Sequence, residues 1–86
     1  MKQIILDFKQ FETKEEVHEF LSETLGFPDY YGRNLDALYD ILSVWPEEVA
    51  FYLFTCNKEM EKGFCQMFRD AAKDNRRIHM FESTLP

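Results

Sequence analysis

The sequence predicts a small α/β domain built on a three-stranded parallel sheet with three to four helices packed against it. Three observations lead there. Three short apolar runs rich in β-formers, QIILDF (residues 3–8), VAFYLF (49–54) and RIHMFE (77–82), read as strands. The stretches between them carry apolar residues at helical spacing. Strands separated by helices need crossover connections, which set neighbouring strands parallel.

Taken in order, the first run is short and β-rich and reads as a buried strand. TKEE (13–16) follows as a capping box, in which the Thr13 hydroxyl accepts an early helix N–H and Glu16 reaches back to the Thr13 N–H. Val17, Phe20, Leu21, Thr24 and Leu25 then form one helical face. Gly26 ends this helix and Pro28 prevents its resumption. Asn34 is placed to cap the next helix, with Leu35, Leu38 and Leu42 as its inward stripe, and Trp45-Pro46 stops it. Residues 49–54 give the strongest strand signal. Asn57 is expected to cap a third helix along which Met60, Phe64, Met67, Phe68 and Ala71 recur. Gly63 costs that helix about 1 kcal/mol relative to Ala and makes a break there conceivable.

With 86 residues, the chain is expected to form a single domain over residues 1–86. A hydrophobic fraction of 45% and an aromatic fraction of 16% argue against disorder. The net charge of -6 is concentrated: residues 1–48 hold eleven acids and four bases, residues 49–86 five acids and six bases. Such a balance disfavours nucleic acid as a partner and favours basic proteins. Cys56 and Cys65 show no paired spacing and read as reduced core thiols. No signal-peptide pattern opens the chain and no apolar stretch has membrane-spanning length, so a cytoplasmic protein without a membrane partner is expected.

The informative segment is FPDYYGRNLDALYDIL, residues 27–42. At about 100° per residue, a helix starting near Asn34 gathers Leu35, Leu38 and Leu42 on one side and Asp36, Asp40 and Ser43 on another, with Tyr39 between. Gly32 is expected to take positive φ where the preceding loop turns. Three readings compete. The acids are ordinary surface residues, with Asp36 favoured by the helix dipole and the tyrosines in the core. Or they are a catalytic or metal-binding pair. But helix neighbours at i,i+4 make no cleft for a glycosidase-like reaction. His18, placed on a helix flank, and His79, on a strand, supply no ligand spacing, so no metal, cofactor or catalytic residue is expected. Or the segment is a docking surface: aromatics supply contact area, and carboxylates supply charge-assisted bonds to a concave basic site.

At these residues the sequence resembles the barstar family, inhibitors of barnase-type ribonucleases. The Tyr-Tyr-Gly-x-Asn-Leu-Asp-Ala-Leu core carries the likeness, with a softer anchor at FRDA (68–71). The resemblance implies a barstar-like fold and a one-to-one complex with a basic, extracellular-type ribonuclease. The acidic helix and loop would plug its active site and protect the producing cell. It implies contact roles for Tyr30 in the loop, for Gly32 and Asn34 as loop-shaping residues, and for Asp36 and Asp40, with Asp40 entering the phosphate site. Trp45 and Asp70 match further family positions, Asp70 one methylene shorter than the usual Glu. Two residues depart from the family: Tyr39 stands where it has Trp, and Arg33 where it has Glu. Arg33 would weaken attraction to a basic target unless it meets a local acid. A free monomer is expected. The runner-up is an interaction or immunity protein of the same fold against another basic toxin.

Overall fold

A computed structural model describes residues 1–84. The elements are β1 (Lys2–Asp7), a 3-10 turn (Phe8–Gln10), α1 (Lys14–Leu25), α2 (Leu35–Ser43), β2 (Val49–Thr55), α3 (Glu61–Asp74) and β3 (Ile78–Thr84). The sheet order is β1-β2-β3 and both pairings are parallel. The expected fold class is what forms, with three α-helices.

Both crossovers step across the sheet in the same direction. Right-handed connections of that kind put every helix on one face. Burial agrees. Ile4 and Leu6 of β1, Val49, Phe51 and Leu53 of β2, and Ile78 of β3 point into the core. There they meet Leu21, Leu38, Leu42, Phe64 and Phe68, the Phe51 and Phe68 rings lying 4.6 Å apart. The alternate strand positions have no helix above them. Ile5 is therefore exposed, and β1 is buried on one face only, not throughout.

The capping box forms as expected: Glu16 N–H donates to Thr13 Oγ1 at 3.2 Å and Thr13 N–H to Glu16 Oε1 at 2.9 Å. These backbone bonds, from Glu12 and Thr13, hold the Glu16 carboxyl below its ordinary range. Gly26 closes α1 at φ 69.

Four local expectations change. Asn57 does not cap α3; it sits at φ 67, and the start of α3 has no side-chain cap. Instead the buried Glu61 carboxylate reaches back and accepts the N–H groups of Cys56 and Asn57 at 3.0 and 3.1 Å. Gly63 does not break α3. A Cβ there would lie 2.7 Å from Leu35 Cδ1, so the missing side chain lets α2 and α3 approach. Positive φ falls on Arg33 (φ 51), not Gly32. At Gly32 space is tight instead: a Cβ would lie 3.2 Å from Asn34 Nδ2, so the capping side chain would have to shift by a few tenths of an ångström. Finally, His18 leaves the helix flank for the core, being 2% exposed. Both cysteines are free, Cys65 buried and Cys56 half-buried.

Candidate functional site

The site is built from α2 outward. Asn34 starts the helix: its Oδ1 accepts Ala37 N–H at 2.8 Å, and its Nδ2 donates back to the Gly32 carbonyl at 3.2 Å. One side chain thus begins the helix and shapes the loop before it. Leu38 and Leu42 are fully buried, which fixes the helical phase. Leu35 is only half-buried, wedged over Gly63 between α2 and α3. Asp36 and Asp40 consequently face solvent.

The loop before α2 divides its two tyrosines. Tyr30 is 85% exposed, an unusual cost for so large a ring. Tyr31 turns inward, packs edge-on to Phe27 at 4.9 Å, and shares a 2.5 Å hydrogen bond with His18 Nδ1. Burial lowers the His18 pKa from 6.5, and burial pushes Tyr31 up to about 12. The His18–Tyr31 pair ties the loop to α1 from beneath. Arg33 ties it from the outside: its guanidinium lies 2.9 Å from Glu19 of α1. The one cation in the loop therefore meets a local acid within its own chain.

On the other flank, α2 faces α3 across a groove of about 560 Å³ whose lining includes Leu35, Asp36, Tyr39, Met67, Asp70 and Asp74. The Tyr39 hydroxyl donates to Asp74. That bond, helped by partial desolvation and by the carboxylates of Asp74, Asp70 and Asp40, raises the Tyr39 pKa. Asp70 accepts from Gln66 Nε2 at 3.0 Å.

The fold thus gathers Asp36, Tyr39, Asp40 and Asp70 on one acidic face, with Tyr30, Gly32, Arg33 and Asn34 on the adjoining loop. Trp45 is apart from them. It is half-buried beyond the end of α2, edge-on to Phe27 at 5.8 Å, and its carbonyl accepts from Asn75 Nδ2 at 3.0 Å. Its contacts belong to the framework. Three participants escaped the sequence reading: Glu19, His18 and Asp74. Asp74 had a visible signal, since Asp70 and Asp74 repeat the i,i+4 spacing of Asp36 and Asp40. The partners of Glu19 and His18 lie 14 and 13 residues away, beyond any local pattern.

A larger cleft, about 770 Å³, opens at the carboxyl ends of the strands. Its buried acid, Glu61, is occupied by the backbone of the β2–α3 loop. Among the described residues, no three His, Cys, Asp or Glu side chains are placed to hold a metal ion. Among the same residues, no helix is long and apolar enough to cross a membrane.

The helix layer of this one-sided α/β sheet thus presents an acidic helix beside an exposed tyrosine. The family model described as "Barstar (barnase inhibitor)" matches residues 1–82, and the chain belongs to that family. It is similar to "Putative ribonuclease inhibitor YrdF" of Bacillus subtilis (strain 168), at 43% identity over 70 residues, covering 81% of this chain and 76% of that protein.

Proposed function

We propose that this chain is a non-catalytic, single-domain inhibitor that blocks the active site of a basic, barnase-like ribonuclease in a one-to-one complex. The observation that carries this reading is the outward presentation of Asp36 and Asp40 on a helix locked in phase by Leu38 and Leu42. Carboxylates presented in that way match a pocket built for RNA phosphates, and they bind Arg, Lys or His⁺ by charge-assisted hydrogen bonds. Tyr30 supplies contact area beside them with few rotors to freeze. Asp70 extends the acidic face from α3, and Gly32 and Asn34 hold the loop in shape. Arg33, clamped by Glu19, adds little net repulsion. Family membership and the name of the Bacillus relative support the ribonuclease as partner. No metal, cofactor or nucleic acid takes part, and the protein acts in the cytoplasm of the cell that makes the nuclease.

The test is active-site titration of barnase with the purified chain. Inhibition should be competitive with RNA and reach its end point at one inhibitor per enzyme. Undiminished RNA cleavage at a large excess of inhibitor would exclude barnase-type nucleases as the target.

A further inference from the structure

The sheet face opposite the helices has no helix above it, although the small Ala50 within it is closed off at 1% exposure. All-parallel sheets are ordinarily covered on both faces, and here the shared direction of the two crossovers leaves one side open. Across its middle, Ile5, Tyr52 and Phe81 stand in register on the three strands. Ile5 is 61% and Phe81 54% exposed, and the Tyr52 and Phe81 rings stack at 5.1 Å. Single exposed apolar residues need no explanation; three side by side on neighbouring strands form a small apolar patch of the kind a partner can cover.

We propose that this row is a self-association surface on which two copies pack sheet to sheet about a twofold axis along β2. The register supports a second copy as the occupant. Tyr52 is central, with Ile5 and Phe81 one strand away on either side. The twofold sets Tyr52 against the second copy's Tyr52 and each Ile5 against a Phe81, aliphatic against aromatic at both ends. The same operation brings Asp7 over Ser83 and Gln3 over His79, so no like charges confront each other. His79 is already satisfied by Glu48 at 2.6 Å.

Charge also selects this face. The chain carries -6, and Asp36, Asp40, Asp70 and Asp74 all lie on the helix layer. Two copies meeting through helices would confront those carboxylates; meeting through sheets keeps them on opposite outer surfaces. Size sets the strength. Three strands about 4.8 Å apart and six to seven residues long give a face of roughly 14 by 20–23 Å. That lies below the range of stable interfaces, so association is weak and reversible. The dilute protein is a monomer, and both inhibitor surfaces stay free in the dimer.

Sedimentation velocity on the whole chain, from about 10 µM to about 1 mM, reads the equilibrium in the weak range expected of so small a face. The mass should rise from monomer towards dimer. Phe81→Lys and, separately, Ile5→Lys should each hold the monomer mass throughout, with unchanged circular dichroism and unchanged ribonuclease inhibition. Two exposed positions are used so that a folding defect in one leaves the other to decide. A monomer at 1 mM in the wild type, or dimers persisting in both variants, would overturn the proposal. Neither result depends on whether the inhibitor reading is right.

Discussion

α2 and α3 pack against each other, and each carries two aspartates four residues apart. The two pairs are nevertheless in different states. Asp70 and Asp74 are held by Gln66 and Tyr39. Among the described residues, the carboxylates of Asp36 and Asp40 have no hydrogen-bond partner within the chain and stand in solvent. The helices differ in the same sense at their starts. α2 begins with an exposed Asn34 cap, whereas α3 begins over the buried Glu61, which is satisfied by backbone N–H groups. Identical spacing therefore yields one helix that presents its charge and one that supports it. A carboxylate already hydrogen-bonded has less to gain from a partner's cation than one that is only solvated.

The largest effect should come from breaking that asymmetry at the presenting helix. Asp40→Ala is expected to weaken ribonuclease binding by about 2–5 kcal/mol, mainly through faster dissociation, because the partner's cations are left buried without an anion. That range draws in part on barnase–barstar itself, so it carries over from the family. Asp74→Ala should cost under about 1 kcal/mol, in line with a peripheral or pre-engaged charge. Surface plasmon resonance on both variants compares them directly. Equal losses would mean that α3 presents charge as much as α2 does.

The supporting helix should instead fail in stability. Glu61→Ala strands two N–H groups in the β2–α3 loop, and leaving such donors unpaired costs about 1–3 kcal/mol each. The unfolding free energy read from urea titration is expected to fall by about 2–6 kcal/mol, with the folded fraction still inhibiting normally. Loss of inhibition without loss of stability would move Glu61 to the binding side of the comparison.

A smaller effect concerns pH and the His18–Tyr31 tie beneath the loop. The buried imidazole has its pKa lowered from 6.5. Below that value the unfolded chain takes up a proton that the folded one resists, so stability is lost as pH falls through the window beneath 6.5. Tyr31 acts with the opposite sign. Its pKa is raised from 10.0 to about 12, so stability present below pH 10 is lost between pH 10 and 12 as the unfolded phenol ionises first. Thermal midpoints from pH 4 to 12 should show a plateau from about 6.5 to 9, where the buried Cys65 thiol, itself raised from 9.0 to about 12, begins to add to the alkaline loss. In His18→Gln the additional fall below 6.5 should disappear. An acid limb unchanged in that variant would assign it to carboxylates alone.

The smallest effect tests the loop's single cation. Arg33→Glu removes a positive charge, adds a negative one, and frees Glu19. Association with a basic ribonuclease should then be a few-fold faster at low salt, with the gain shrinking as salt rises. The exposed ion pair itself should cost no more than about 1 kcal/mol of stability. Stopped-flow association rates across a salt series measure this. Slower association would show that Arg33 touches an acid on the partner, and that its meeting with Glu19 is incidental.

Much of the molecule was legible in one dimension because its signals are local. Thr13 with Glu16, and Asn34 before a leucine stripe, are capping patterns confined to a few residues, and both formed as read. The phase that exposes Asp36 and Asp40 while burying Leu38 and Leu42 follows from helical geometry once the cap is placed. The order of strands and helices was enough to make the sheet parallel. Asn57 misled for an equally physical reason. A cap-forming residue sat ahead of the helical pattern, but α3 begins only at Glu61, whose carboxylate accepts the N–H groups of Cys56 and Asn57 while Asn57 turns at φ 67.

By itself, then, the sequence determined the fold class, the starts of α1 and α2, the acidic edge of α2 and the family. Each of these depends on residues within one or two turns of one another. Tertiary structure decided which groups are free to act. It paired Arg33 with Glu19 and buried His18 under Tyr31. It engaged Asp74 through Tyr39, gave Gly63 the task of admitting Leu35, and left Ile5, Tyr52 and Phe81 on an uncovered sheet. Such contacts join elements far apart in the chain. Their geometry is set by how the sheet and helices pack, and no local spacing records it.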